Sequence, residues 1–264
     1  MGKRYGLFGQ PIPEKTQHLS CYVAKSVSVC VRFEKRLAAA ILTLMKQKRE
    51  RKSRPSPPAA VAATKGAKPI KLRIIGGDMR GRTIHYHGEI FTRPMKDNIR
   101  ENLFNILGRA IRGSICFDLF SGTGALGFES LSRGASSVVM VEQNRQAIRY
   151  IQRTSESLEV GSRARVITGD AFRLAGQLLS PPGNDTPWIV YVCPPYALWQ
   201  ESLEQLNRII QTTLDNAPPG SVLMAETEKS FDPNLLPAGD WDFREYGGTR
   251  LAFIEPAMRC GMDL

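Results

Sequence analysis

From residue 114 onward, short apolar runs alternate with segments whose apolar residues recur at helical spacing, a pattern that predicts strand and helix in regular succession. The runs at 114–119, 136–141, 163–168 and 188–192 read as strands. Segments 125–133, 145–158, 171–179 and 197–215 read as the helices between them. Three further strands, near 221–225, 241–246 and 250–254, close the chain. Such alternation implies a mostly parallel α/β sheet covered by helices on both faces, with ligands bound at the carboxyl ends of its strands.

Upstream, strand-like runs at 71–75 and 82–87 flank Gly76-Gly77-Asp78-Met79-Arg80-Gly81 and suggest a hairpin. Pro94 then opens a helix to about residue 110, with Ile99, Leu103, Phe104, Ile106 and Leu107 on its apolar face. Residues 32–52 fit a basic amphipathic helix. Residues 53–69 are rich in Pro, Ala and Lys, cannot bury a core and read as a linker. The expected organisation is a basic arm and linker over 1–69, then a folded domain over 70–264. Within it, 70–112 form a hairpin and helix, and 113–257 form the ligand-binding core. No internal repeat is evident.

Composition changes this picture in one respect. The formal net charge is +11, but residues 1–71 hold 16 Lys and Arg against 3 Asp and Glu, leaving 20 against 22 in the remainder. The body is nearly neutral, and the arm is suited to a polyanion by counterion release, or simply to solvent as a basic tail. The five cysteines, Cys21, Cys30, Cys116, Cys193 and Cys260, are odd in number and scattered, which fits a reducing, cytosol-like compartment. The apolar run 37–45 is too short for a membrane span and begins too late for a secretory signal. The acid-poor first segment also fits an organelle presequence.

Chemistry concentrates in Asp118-Leu-Phe-Ser-Gly-Thr-Gly-Ala-Leu-Gly127, which follows a predicted strand and opens a predicted helix. In that context Ser121, Gly122, Thr123 and Gly124 form a loop whose backbone approaches a ligand closely, and the helix N-terminus favours an anionic group. Either a dinucleotide pyrophosphate or the carboxylate of S-adenosylmethionine satisfies this. Glu142 lies 20 residues beyond Gly122, at the end of the next strand, where a carboxylate accepts from both ribose hydroxyls. Asp118, placed to face an amino-acid moiety, and Asp170-Ala171, placed to read an adenine edge after the third strand, favour the methyl donor. No second phosphate and nicotinamide site is evident.

The run Cys193-Pro194-Pro195-Tyr196 follows the strand at 188–192. Together, Leu72 to Arg82, Thr92 to Leu107, Asp118 to Gly134, Val141-Glu142, Gly169-Asp170-Ala171 and Pro194-Pro195-Tyr196 resemble the RsmD-type guanine-N2 methyltransferases of small-subunit (16S) ribosomal RNA. The resemblance covers roughly residues 70–256. It implies a class I, seven-stranded Rossmann-like methyltransferase domain that uses S-adenosylmethionine to methylate the exocyclic amine of one guanine. It further implies that Gly122, Gly124, Glu142 and Asp170 hold the cofactor and that Pro194, Pro195 and Tyr196 hold the base; by position Asp118, Ser121, Thr123 and Ala171 join the cofactor set and Cys193 joins the catalytic run. A monomer acting in the cytoplasm on ribosomal RNA or the small subunit is the corresponding expectation. An RNA-binding relic of the fold and an adenine-N6 methyltransferase are the alternatives.

An exocyclic amine is a poor nucleophile until acceptors hold its protons and leave its lone pair aimed at the methyl group, so alignment supplies most of the catalysis. Family members usually place Asp or Asn where this chain has Cys193, and a thiol is a weak acceptor. Three readings stay open: backbone carbonyls suffice, activity is lost, or Cys193 attacks carbon as a nucleophile. The first is preferred. Arg73, Arg80, Arg82, Arg93 and Arg100, with Lys96, fall in the segment matching the family's RNA-facing region and are candidate phosphate contacts, although Asp97 and Glu101 offer local pairing. Phe117, Phe120 and Phe128 read as core, and Trp199 as a lid or a packing residue. His85 and His87 share a strand face without a third ligand, so no metal is assigned.

Overall fold

Short β-branched runs become strands where the pattern places them, and the computed structural model describes residues 72–86, 94–180, 183 and 185–256. The predicted helix over 32–52, the linker over 53–69, Arg93, His87, Cys21, Cys30 and Cys260 lie outside those residues. The chain runs through β1 (Leu72–Arg73), β2 (Thr83–Ile84), α1 (Asp97–Leu107), β3 (Ile115–Asp118), α2 (Ala125–Ser132), β4 (Ser137–Glu142), α3 (Arg145–Ser157) and β5 (Ala164–Thr168). It continues through α4 (Ala171–Leu178), β6 (Trp188–Val192), α5 (Leu198–Glu201), α6 (Leu203–Asn216), β7 (Val222–Glu228), β8 (Asp242–Tyr246) and β9 (Thr249–Ile254).

Seven strands form one sheet in the order β5-β4-β3-β6-β7-β9-β8. The first five are mutually parallel, and β9 runs antiparallel between β7 and β8. Because β4 leaves β3 on one side and β6 joins it on the other, the strand order reverses between β3 and β6. A crevice for a ligand opens at such a switch point, outside the carboxyl ends of the strands.

Side-chain alternation along β6 assigns the two layers. Tyr191 faces α1 and α2, placing its ring 6.2 Å from Phe104 and its hydroxyl 2.9 Å from Ser130 Oγ. Trp188 faces the other way and meets Phe117 edge-on at 5.2 Å. All five residues of β6 are buried, as expected for a strand covered on both faces.

The hairpin is seated on α2 by one buried carboxylate. Glu129 accepts from the Ile75 and Gly76 N–H groups at 2.8 Å each and pairs with Arg133 Nε at 2.8 Å. Ser132 extends the seat: its Oγ donates to Gly76 O at 2.6 Å, and its carbonyl accepts from Asp78 N–H at 2.8 Å. Gly77 has φ +73° and a Cβ there would lie 1.8 Å from Ser132 O, so the close approach requires glycine. The strands β1 and β2 are shorter than the runs at 71–75 and 82–87 predict. Beyond the cross-hairpin bonds Ile74 N–H to Arg82 O at 3.0 Å and Gly81 N–H to Ile74 O at 2.8 Å, the Ile75 and Gly76 amides turn to α2 and the His85 N–H turns to Thr154 Oγ1 on α3 at 3.0 Å.

Three local expectations are corrected. Residues 94–96 lead into α1 in extended form, Lys96 having ψ 145°, so the helix starts at Asp97 and not at Pro94. Ile106, expected on the apolar face, is among the exposed large hydrophobic side chains. The predicted helix over 197–215 breaks at Ser202, with φ −139°, although no glycine or proline signals it. Buried Trp199 explains the break, because its indole N–H donates to Glu226 O at 2.8 Å and its ring packs 5.1 Å from Phe231, orienting α5 independently of α6.

Candidate active site

The glycine-rich loop links β3 to α2 at the switch point. Ser121 turns the chain: its Oγ donates to Asp118 O at 2.7 Å, and its carbonyl accepts from Gly124 N–H at 2.7 Å. Gly124 caps α2 in the left-handed region at φ +74°, and a Cβ there would meet the Phe128 ring at 2.9 Å. Glycine there lets the loop pack closely on Phe128 and Met140, and Thr123 is tucked into the protein.

Asp118 is buried at the carboxyl end of β3, and its Oδ2 has no hydrogen-bond partner. Desolvation raises its pKa to about 7, the Gly127 N–H opposing this and the Glu142 charge adding to it. Glu142 ends β4 beside the loop. Its Oε2 accepts from Gly122 N–H at 2.8 Å, and its Oε1 from the amides of Gln143 and Asn144 at 2.9 and 2.7 Å. Asp170 caps α4, accepting from Phe172 N–H at 3.0 Å, next to buried Ala171. Phe120, expected in the core, is half-buried and meets Phe172 edge-on at 5.8 Å, so an aromatic pair stands beside Asp170.

At the end of β6, Pro194 is buried, Pro195 exposed and Tyr196 half-buried. The Pro195 carbonyl accepts from Leu198 N–H at 2.9 Å and that of Tyr196 from Trp199 N–H at 3.1 Å. Among the described residues the Pro194 carbonyl has no backbone donor and remains available. Tyr196 is fixed through its hydroxyl, which donates to Glu226 Oε1 at 3.1 Å and lies 2.9 Å from Thr249 Oγ1. Burial pushes that phenol up to about 12, with the Thr249 bond opposing and Glu226 adding to the rise. Trp199 packs and forms no lid.

Cys193 is partly buried, and desolvation raises its thiol well above the usual value, with the Glu226 and Asp118 carboxylates adding to the rise. An activated thiolate needs a nearby cation or base, whereas the charged groups acting on this sulfur are anionic and only the Glu226 backbone N–H opposes the rise. The surroundings therefore disfavour nucleophilic attack.

Glu226 is the residue that sequence reasoning missed. The parallel register Val192↔Ala225 sets Cys193 beside Glu226 at the ends of β6 and β7. Desolvation raises the Glu226 carboxyl, opposed by the Tyr196 hydrogen bond. Its one sequence signal is an acidic side chain interrupting the apolar run 221–225 at its end.

The arginines divide. Arg73 and Arg80 are exposed, Arg73 Nε lying 3.6 Å from Asp97. Arg82 is exposed but donates to Ser157 O at the last turn of α3. Arg100, expected as a phosphate contact, is fully buried. It donates to Arg73 O at 2.7 Å and Asp97 Oδ1 at 3.0 Å, and approaches Glu129 at 3.9 Å. A guanidinium enclosed between the hairpin and α2 joins those elements and does not reach a phosphate on the surface.

The donor set fits S-adenosylmethionine. The unpartnered buried Asp118 Oδ2 suits an ammonium, Glu142 suits a ribose diol, and Asp170 with the Phe120–Phe172 pair suits a flat adenine. This sheet, with that crevice at its switch point and a Pro-Pro-Tyr turn beside it, defines a class I methyltransferase fold. The chain belongs to the family described as Conserved hypothetical protein 95, whose model matches residues 72–255.

It is similar to the ribosomal RNA small subunit methyltransferase D of Escherichia coli K12, at 36% identity over 139 residues, 52% of this chain and 67% of that protein. The enzyme of the same name from Haemophilus influenzae is 30% identical over 174 residues, 65% of this chain and 85% of its own length. Among solved structures, yhhF from Escherichia coli matches with TM-score 0.57 and 29% identity over 71% of this chain and 99% of that one. A hypothetical protein from Thermus thermophilus matches with TM-score 0.55 and 26% identity over 70% and 99%.

Proposed function

We propose that this protein transfers a methyl group from S-adenosylmethionine to the exocyclic N2 amine of a guanine in small-subunit ribosomal RNA. The observation that carries the reading is the Pro194-Pro195-Tyr196 turn at the switch point, with an available Pro194 carbonyl and a tethered aromatic ring beside the glycine-rich loop. Membership of a family that includes small-subunit ribosomal RNA methyltransferases supports the substrate class.

The cofactor, when bound, supplies an electrophilic methyl group. Asp118, Ser121, Gly122, Thr123, Gly124, Glu142, Asp170 and Ala171 hold and orient it. The Pro194 carbonyl accepts one amine hydrogen and so turns the amine lone pair toward the methyl carbon. The ring of Tyr196 stacks on the base, which leaves its RNA stack to enter the crevice. Pro195 keeps the turn rigid, with its φ fixed by the ring.

Exposed Arg73, Arg80 and Arg82 stay as candidate phosphate contacts, together with Arg93. The hairpin sits near the C-terminal end of α2, whose 8 residues span about 12 Å, so these contacts fall on RNA flanking the target nucleotide. We read the protein as a monomer acting on ribosomal RNA in the cytoplasm. No helix among the described residues is long and apolar enough to cross a membrane.

The test is transfer of labelled methyl to small subunits that lack the modification. Label in RNA supports the reading; donor binding without label supports an RNA-binding relic instead.

A further inference from the structure

We infer that Glu226 is a catalytic residue of this site: its carboxylate, carried on β7, accepts the second hydrogen of the substrate amine in place of the side chain that Cys193 does not provide. The inference rests on the reading of the site as an amine methyltransferase and names a group within it.

Val192 pairs with Ala225 in parallel register, so Cys193 and Glu226 are lateral neighbours at the carboxyl edge, with their strands about 4.8 Å apart. Parallel partners project to the same face of a sheet. Glu226 thus occupies the same side of the crevice as Cys193, one strand further from the loop.

Glu226 Oε1 accepts from Tyr196 Oη at 3.1 Å, whereas no described residue donates to Oε2. The side chain is neither fully buried nor solvated, so one oxygen is anchored and the other is left for a ligand donor. The anchor is the residue assigned to stack on the base, which holds the carboxylate at the edge of the base pocket. The Cys193 thiol is neutral and a weak acceptor, and it leaves the second amine hydrogen without a side-chain partner on β6.

The step balances. The amine lone pair forms the N–C bond as the S–C bond breaks, with its electron pair passing to sulfur. The nitrogen, cationic after transfer, then loses one proton to Glu226 Oε2. Products are the methylated guanine, the neutral thioether and a carboxylic acid that returns its proton to water. Burial, which makes this carboxylate a better base, favours the last transfer.

The full-length protein is assayed on unmodified small subunits as wild type, Glu226→Gln, Glu226→Ala, Tyr196→Phe and the double variant Glu226→Gln/Cys193→Asp. Glutamine keeps an oxygen for Tyr196 and replaces the free acceptor by a donor. The expected result is a kcat lower by about 100-fold in Glu226→Gln, with donor affinity and RNA KM within about 3-fold of wild type. Cys193→Asp in that background restores at least about 10-fold, because it returns a carboxylate to β6. A Glu226→Gln variant with wild-type kcat overturns the inference. So does a Tyr196→Phe loss as large as that of Glu226→Gln without rescue by Cys193→Asp, which makes Glu226 a mere anchor for the ring. Wild-type protein that binds donor and labels no guanine overturns the functional reading itself.

Discussion

The Tyr196 hydroxyl donates to Glu226 Oε1 at 3.1 Å, joining the turn after β6 to the end of β7 and fixing the one aromatic ring that the Pro-Pro-Tyr run contributes. The ring and its tether have separable effects. Tyr196→Phe keeps the stacking face and loses the tether, so turnover falls only a few-fold. Tyr196→Ala removes the face, which is worth about 1–3 kcal/mol per base, or roughly 5- to 150-fold. Steady-state kinetics with fixed donor checks this, and equal losses in the two variants would show that the ring does not stack.

Glu142 holds three loop amides and is assigned to the ribose. Glu142→Ala weakens donor binding by about 10-fold or more, since hydrogen bonds to a charged group contribute about 1.5–3 kcal/mol. Calorimetric titration with S-adenosylhomocysteine measures it. Unchanged affinity removes the ribose assignment.

Asp118 makes stability depend on pH. Its pKa rises from 3.8 in the unfolded chain to about 7 in the native state. Below the lower value Asp118 is protonated in both states and carries no buried charge in the native one. As pH rises through the window from 3.8 to about 7 the unfolded chain releases its proton first, so stability is lost, by at most on the order of 4 kcal/mol. Asp118→Asn lacks this loss. The Tm of the variant relative to wild type therefore increases from about pH 4 to about pH 7 and levels off above; a constant difference contradicts the assignment.

Glu129 is the structural counterpart of these site carboxylates. Glu129→Ala leaves the Ile75 and Gly76 amides unpaired and removes a carboxylate partner from Arg133 and Arg100, costing about 3–5 kcal/mol. Urea unfolding monitored by circular dichroism reads this out. Glu129→Gln, which keeps one of the two acceptor oxygens, loses less.

Much of the site is legible in sequence because it is local. Asp118, Gly122 to Gly124, Glu142 and Asp170 each sit at a strand end followed by a helix, and the apolar pattern locates those ends within a residue or two. Glu226 is not legible, because its place beside Cys193 depends on the register of β7 against β6 and on no local motif. Arg100 misled for a related reason. A basic residue on an amphipathic helix looks solvated until the hairpin carbonyl and Glu129 that enclose it are brought in from 27 and 29 residues away. The break at Ser202 follows from Trp199 bonding to β7, again a non-local contact.

Cys193 separates the readings of the run with one substitution. The groups around it hold the thiol neutral, so Cys193→Ser and Cys193→Ala retain methylation within about 10-fold, or roughly 1.4 kcal/mol, and no covalent RNA adduct is trapped. Complete loss in both, together with an adduct in the wild type, restores the nucleophile reading.

The most direct measurement is nucleoside analysis of small-subunit RNA after incubation with the purified protein and labelled S-adenosylmethionine. The account predicts label in N2-methylguanosine at a single position, reduced roughly 5- to 150-fold by Tyr196→Ala. Label in N6-methyladenosine, or donor binding with no labelled nucleoside, contradicts it.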